Sequence, residues 1–204
     1  TDRASADPAI YEVRVQTGAA GGEIRPMLIT TSGLSGRDDL GQFYQPGNRL
    51  YMFDITDNGG GPVASYALPM PAGWTAPTGP GSVLPPGANR PVAYATKPVC
   101  VDATGDGAGA VTMCYVLRSD GFVAAVEVRA DSTGTGFIGH QDMTPRNAAN
   151  VAVSMTDARR RFYTEPVVYF DSKGDINIVF GSGNFEFLAG DLDRRRRFCG
   201  PAGS

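Results

Sequence analysis

The chain has 204 residues, a formal net charge of −3 and 42% hydrophobic residues, so it can bury a core and is not a disordered tail. Glycine (27) and proline (15) are abundant and only 19% of residues are charged, which argues against long helices and for short strands joined by turns. The weak negative balance gives no overall attraction to nucleic acid, and no run reaches the roughly 18 apolar residues of a membrane-spanning helix.

In chain order, the opening residues TDRASADPAI carry neither a basic start nor an apolar stretch, so no secretory signal is expected in them. β-Branched and aromatic runs bounded by turn residues predict strands at 10–16, 26–31, 48–55, 63–68, 92–96, 99–102, 111–118, 121–129, 151–155, 166–170 and 175–180. The clearest hairpin joins VTMCYVLR to GFVAAVEVR through Ser119 and Asp120, with Asp120-Gly121 as the tight-turn signal. Residues 69–91 form a Pro/Gly-rich excursion that breaks regular structure. It reads either as a surface loop or, because it holds the only tryptophan, Trp74, as a binding loop. Arginine runs at 159–161 and 194–197 read as solvated loop charge or as a docking site for an acidic partner or polysaccharide.

Three stretches repeat a theme: PGNRLYMFDITDNGG (46–60), KPVCVDATGDGAGAVTMCYVLRSDGFVAAVEVR (97–129) and TEPVVYFDSKGDINIVFGSGNFEF (164–187). Each is a small meander with an acidic turn and cannot bury both its faces alone. Stacking meanders around an axis solves that problem, so the expected fold is all-β, with β-propeller-like repeats of short antiparallel meanders forming an incomplete propeller in a single domain.

The order MLITTSGLSGRDD, PGNRLYMFDIT, KPVCVDATGDG…VTMCYVLRSDGFVAAVEV, TEPVVYFDSKGDINIVFGSGNF resembles the C-terminal β-propeller of type IV pilus tip-associated adhesins of the PilY1/PilC type. The likeness covers roughly residues 26–190, with gaps at 69–91 and 131–160, and includes an FGTG-like bend at Phe180-Gly181-Ser182-Gly183. It implies a non-catalytic adhesin and assembly factor at the cell surface. Its partners would be minor pilins or other pilus-tip proteins and a host or abiotic surface, with neither nucleic acid nor a membrane span. The family's propeller needs more chain than this, which implies a fragment or a form completed by other chains.

Chemistry concentrates in one loop. Asp102, Thr104 and Asp106 place oxygens at the first, third and fifth positions of a turn closed by Gly107, the spacing by which alternate side chains converge on calcium. The later positions carry no carboxylate, and Ala110 stands where the resembled family keeps an aspartate. The loop therefore reads either as a calcium site or as a turn that satisfies its own backbone. Acidic turns at 54–59 and 171–175 are weaker versions. Cys100 and Cys114 lie seven residues either side of Gly107, so a hairpin centred there sets them opposite each other, as a disulfide or as two buried thiols. The third cysteine, Cys199, has electropositive neighbours but no histidine base nearby in sequence.

No catalytic residue is assigned. His140 is the only histidine and reads as a loop or surface residue; no GxSxG elbow, phosphate loop or strand–GxGxxG–helix unit occurs. A propeller enzyme (a quinone-type dehydrogenase or glycan hydrolase) and a structural subunit of an extracellular filament are the alternatives. The first would need a cofactor-sized central pocket, the second pairing of edge strands between chains.

Overall fold

A computed structural model describes residues 7–16, 22–32, 48–57, 60–71, 93–94, 96–131, 134–143, 162 and 164–181. Among them the chain is all-β, with ten strands and no helix. The first antiparallel sheet is an up-and-down meander of β1 (Ala9–Gln16), β2 (Gly22–Thr31), β3 (Arg49–Asp54) and β4 (Ala64–Ala67). The second repeats that plan with β5 (Val99–Val101), β6 (Met113–Leu117), β7 (Val123–Asp131) and β8 (Gly134–Met143). A hairpin of β9 (Val167–Phe170) and β10 (Ile176–Val179) starts a third layer.

Alternation along the strands decides the layering. From the first sheet Val13, Met27, Ile29, Leu50 and Met52 point inward, and from the second Cys100, Cys114, Val116, Ala124 and Val126 meet them in one apolar core. The opposite face of the second sheet is buried as well: Leu117 and Val123 pack with Phe162 and, from the third layer, with Ile178 and Phe180. The second sheet is thus the middle of a three-layer stack, and its central strands β6 and β7 are rich in apolar residues because both faces are covered.

Each layer opens in the same way. Asp7-Pro8 precedes β1, Lys97-Pro98 precedes β5 and Glu165-Pro166 precedes β9. Proline suits the start of a strand, where no ladder donor is required. These openings lie together: the Tyr11 hydroxyl donates to the Pro98 carbonyl at 2.8 Å, and Lys97 Nζ is 3.1 Å from Glu165 Oε2. Stacked four-stranded meanders with adjoining first strands make the fold propeller-like, with the third unit incomplete among the described residues.

Two expectations change. Of the strand predicted at 92–96, the described residues Ala93, Tyr94 and Thr96 are buried but not in a strand, and Ala93 and Thr96 bond instead to Ser119 and to the end of β6. Ala93 N donates to Ser119 Oγ at 3.1 Å, Ser119 N donates to the Ala93 carbonyl at 2.8 Å, and the Thr96 hydroxyl donates to the Leu117 carbonyl at 3.1 Å. Conversely, β8 occupies part of a stretch read as a gap. Gly134, Gly136 and Gly139 and the polar run His140-Gln141-Asp142 have poor strand propensity, and pairing with the long β7 overrides it. The strand predicted at 151–155 lies outside the described residues.

The β6–β7 turn carries a buried ion pair. Arg118 Nε and Nη2 donate to the two carboxylate oxygens of Asp120 at 2.7 and 2.9 Å, and the guanidinium sits 4.3 Å from the centre of the Phe122 ring. Arg118 Nη1 and the Tyr94 hydroxyl both donate to the Pro69 carbonyl, at 2.9 and 2.6 Å. Pro69 begins the Pro/Gly-rich excursion and Tyr94 follows it, so this turn clamps the neck of that loop.

Candidate functional site

The loop between β5 and β6 is positioned by the strands that flank it. Cys100 faces Cys114 directly across the β5–β6 ladder and the two sulfurs are bonded. Beyond the bridge, Gly105, Gly107 and Gly109 adopt φ of 64°, 69° and 77°, a left-handed conformation that side chains with a Cβ rarely hold. Such alternation lets the eleven residues 102–112 fold back on themselves without regular structure. On the return path Val111 N donates to the Glu12 carbonyl at 2.8 Å, tying the loop to the first sheet.

Within the loop, Asp102 Oδ1 accepts from Thr104 N at 3.0 Å, from the Thr104 hydroxyl at 2.6 Å and from Gly105 N at 3.2 Å. The Thr104 hydroxyl bond, ahead of the backbone donors, holds the Asp102 carboxyl below its ordinary range. Asp106 Oδ1 makes a separate turn with Ala108 N at 2.8 Å. The same device recurs at Asp54, which accepts from Thr56 N and its hydroxyl, and at Asp171, which accepts from Lys173 N and Asp175 N. Each ends the strand before it by an Asx turn.

Asp102 and Thr104 are therefore brought together, but by bonding each other, while Asp106 serves its own neighbour. These oxygens satisfy the loop, and among the described residues no group of three or more His, Cys, Asp or Glu side chains could hold a metal ion.

Beside the loop lies an open cleft of about 430 Å³, walled by Val13 and Arg14 of β1, Thr104 and Asp106 of the loop, and Glu127 and Arg129 of β7. Its floor is apolar (Val13, Val111, Val128) and its rim carries charges of both signs. Its walls come from three separate segments, so no single stretch of sequence marks it.

His140 stands on β8 rather than in a loop. Its Nδ1 lies 2.7 Å from the Tyr66 hydroxyl and its Nε2 3.4 Å from Asp142 Oδ1, so it joins β4 of the first sheet to the second. Trp74, Cys199 and the arginine runs at 159–161 and 194–197 lie outside the described residues, as do Ser182 and Gly183 of the predicted bend. No helix among the described residues is long and apolar enough to cross a membrane. Compared with known proteins, the chain matches no family model, no curated protein and no solved structure.

Proposed function

We propose that the chain is a non-catalytic binding module of the cell surface, acting as do the type IV pilus-tip adhesins its sequence resembles. The observation that carries this reading is a stacked, propeller-like β scaffold that projects a disulfide-closed loop beside an open cleft. A scaffold of this kind holds a loop still, so that binding is not offset by the cost of ordering it. A disulfide on the loop's own hairpin suits an oxidising compartment, which a surface protein meets. Minor pilins or other tip proteins, and a host or abiotic surface, are the partners this reading names. Calcium, if it contributes, would act by stiffening the loop at Asp102 and Asp106.

The test is binding of the purified chain to immobilised minor pilins and to a hydrophobic abiotic surface, with the loop intact or with residues 103–109 replaced by a short Gly/Ser linker. Binding should fall at least tenfold on replacement while the melting curve stays cooperative. Retention of full binding would overturn the assignment of the loop and cleft. Absence of binding by the intact chain to either target would overturn the adhesin reading itself. Adding calcium or chelator to the same melts addresses the ion: equal midpoints, with Asp102→Asn close to wild type and Asp102→Ala lowered, mark the loop as a metal-free turn.

A further inference from the structure

β1 is an edge strand of the first sheet, so alternate residues turn their backbone N–H and C=O away from the ladder with β2. Two bonds fix which residues these are. The Glu12 carbonyl accepts from Val111 N at 2.8 Å, and Gln16 N donates to Thr135 Oγ1 at 3.2 Å. Arg14 lies midway between them in an unbroken register, so its N–H and C=O face outward too, while Val13 and Val15 bond to β2. Neither outward group of Arg14 has a hydrogen-bond partner among the described residues. Arg14 also walls the cleft beside the β5–β6 loop, and every wall residue of that cleft is described. On the rim, Arg14 and Glu127 carry opposite charges, and neither has an ion-pair partner among the described residues.

The chemistry of this edge selects among ligands. The acetamido group of a sugar does not match it, because the N–H and C=O of one amide point in opposite directions. The two groups of Arg14 flank one Cα and point the same way, and their complement is the N–H and C=O of one residue in an extended chain. Length is limited as well. Glu12 and Gln16, whose outward groups are taken, lie about 14 Å apart at roughly 3.4 Å per residue, which leaves an open edge for about three residues. We propose that the β1 edge at Arg14 binds an extended peptide segment of a partner protein, pairing it antiparallel with Val13, Arg14 and Val15. Its central residue is acidic and lies on the same face as the Arg14 side chain. Its neighbours alternate to the other face, an apolar one on Val13 and Val128 and a basic one toward Glu127. This inference rests on the loop and cleft being the binding site, and it names what that site holds.

The probe is the capped tripeptide acetyl-Val-Glu-Lys-amide, with a second version N-methylated at the central glutamate. It is titrated into the full chain to about 10 mM and followed by amide NMR, since so small a ligand is expected to bind at roughly millimolar level. The Arg14 amide should shift, and N-methylation should weaken binding about tenfold, the usual scale for a lost bond of this kind. Arg14→Pro removes only the outward N–H, at an edge position where proline is tolerated, and should weaken the unmethylated peptide to a similar degree. Arg14→Ala should keep the sensitivity to N-methylation and lose the preference for glutamate over lysine at the centre. An Arg14 amide that does not respond to the peptide, or equal binding of the N-methylated version, would overturn the proposal. So would an Arg14 amide already protected from hydrogen exchange in the free chain, because the chain would then fill its own edge. Should Arg14→Pro fail to fold, the N-methylated peptide makes the same comparison on the wild-type chain. Pilin binding that needs the loop yet is not competed by the tripeptide would overturn this inference and leave the adhesin reading standing. Tripeptide binding without pilin binding would do the reverse.

Discussion

At the scale of single residues, the most consequential group is Arg118. It is 5% exposed, and its charge is tolerated because Asp120 takes two of its donors, the Pro69 carbonyl a third and the Phe122 ring its face. Removing the carboxylate would leave a buried, uncompensated cation. Asp120→Ala is therefore expected to cost about 3–5 kcal/mol in urea unfolding, more than a typical surface substitution. Tyr94 belongs to the same cluster, and burial is the main cause that pushes its phenol well above its ordinary value. Tyr11 and Tyr115 are raised by burial too. A raised folded-state value means that the stabilisation is complete below the unfolded tyrosine value of about 10 and is lost as pH climbs above it. Urea midpoints should hold steady to about pH 9.5 and then fall. Tyr94→Phe should weaken that fall, at a cost near 1 kcal/mol for the lost bond to Pro69.

At the scale of elements, the β5–β6 hairpin shows how local chemistry and packing share the work. β5 has three residues, few for a strand, and its loop spends its polar groups on itself. The disulfide offsets that weakness by confining the unfolded chain. Closing a loop of about 15 residues contributes about 3 kcal/mol, so the Cys100→Ala, Cys114→Ala double variant should lose about that much in a denaturant titration. A much smaller loss would mean that the core contacts of Cys114 and its neighbours hold the hairpin unaided. The Asp120-Gly121 turn was plain in the sequence, and Gly121 does take a φ of 93°. Its burial was not plain, because a turn signal encodes backbone geometry and says nothing of which distant segment will cover it. Here Ala93 and Phe162 do so, each by a backbone hydrogen bond to Ser119.

At the scale of the whole molecule, the repeated layer was legible only in part. The meanders at 97–129 and 164–187 share an opening, an acidic turn and a following strand, and both stand in the structure as expected, as far as the third layer is described. The first layer hid its kinship because Asp7-Pro8-Ala9 looks like an unstructured start until β1 is seen to pair with β2 along its whole length. β8 was missed for a related reason. A glycine-rich, polar strand has no propensity signature, and it exists because β7 offers nine residues of ladder and Tyr66 of the first sheet packs on its Phe137.

Composition, strand periodicity and turn residues by themselves determined that this protein is all-β, where most of its strands run, and that Cys100 would lie opposite Cys114. Those are local properties, set by which backbone conformations each residue tolerates and by alternation over a few positions. Only the tertiary structure decided that the second sheet is covered on both faces and that Arg118 and Asp120 are buried. It alone brings Arg14, Asp106 and Glu127 around one cleft. Each of these depends on segments tens of residues apart meeting in space, and burial, the term that fixes such meetings, is summed over the whole stack rather than written in any one stretch of chain.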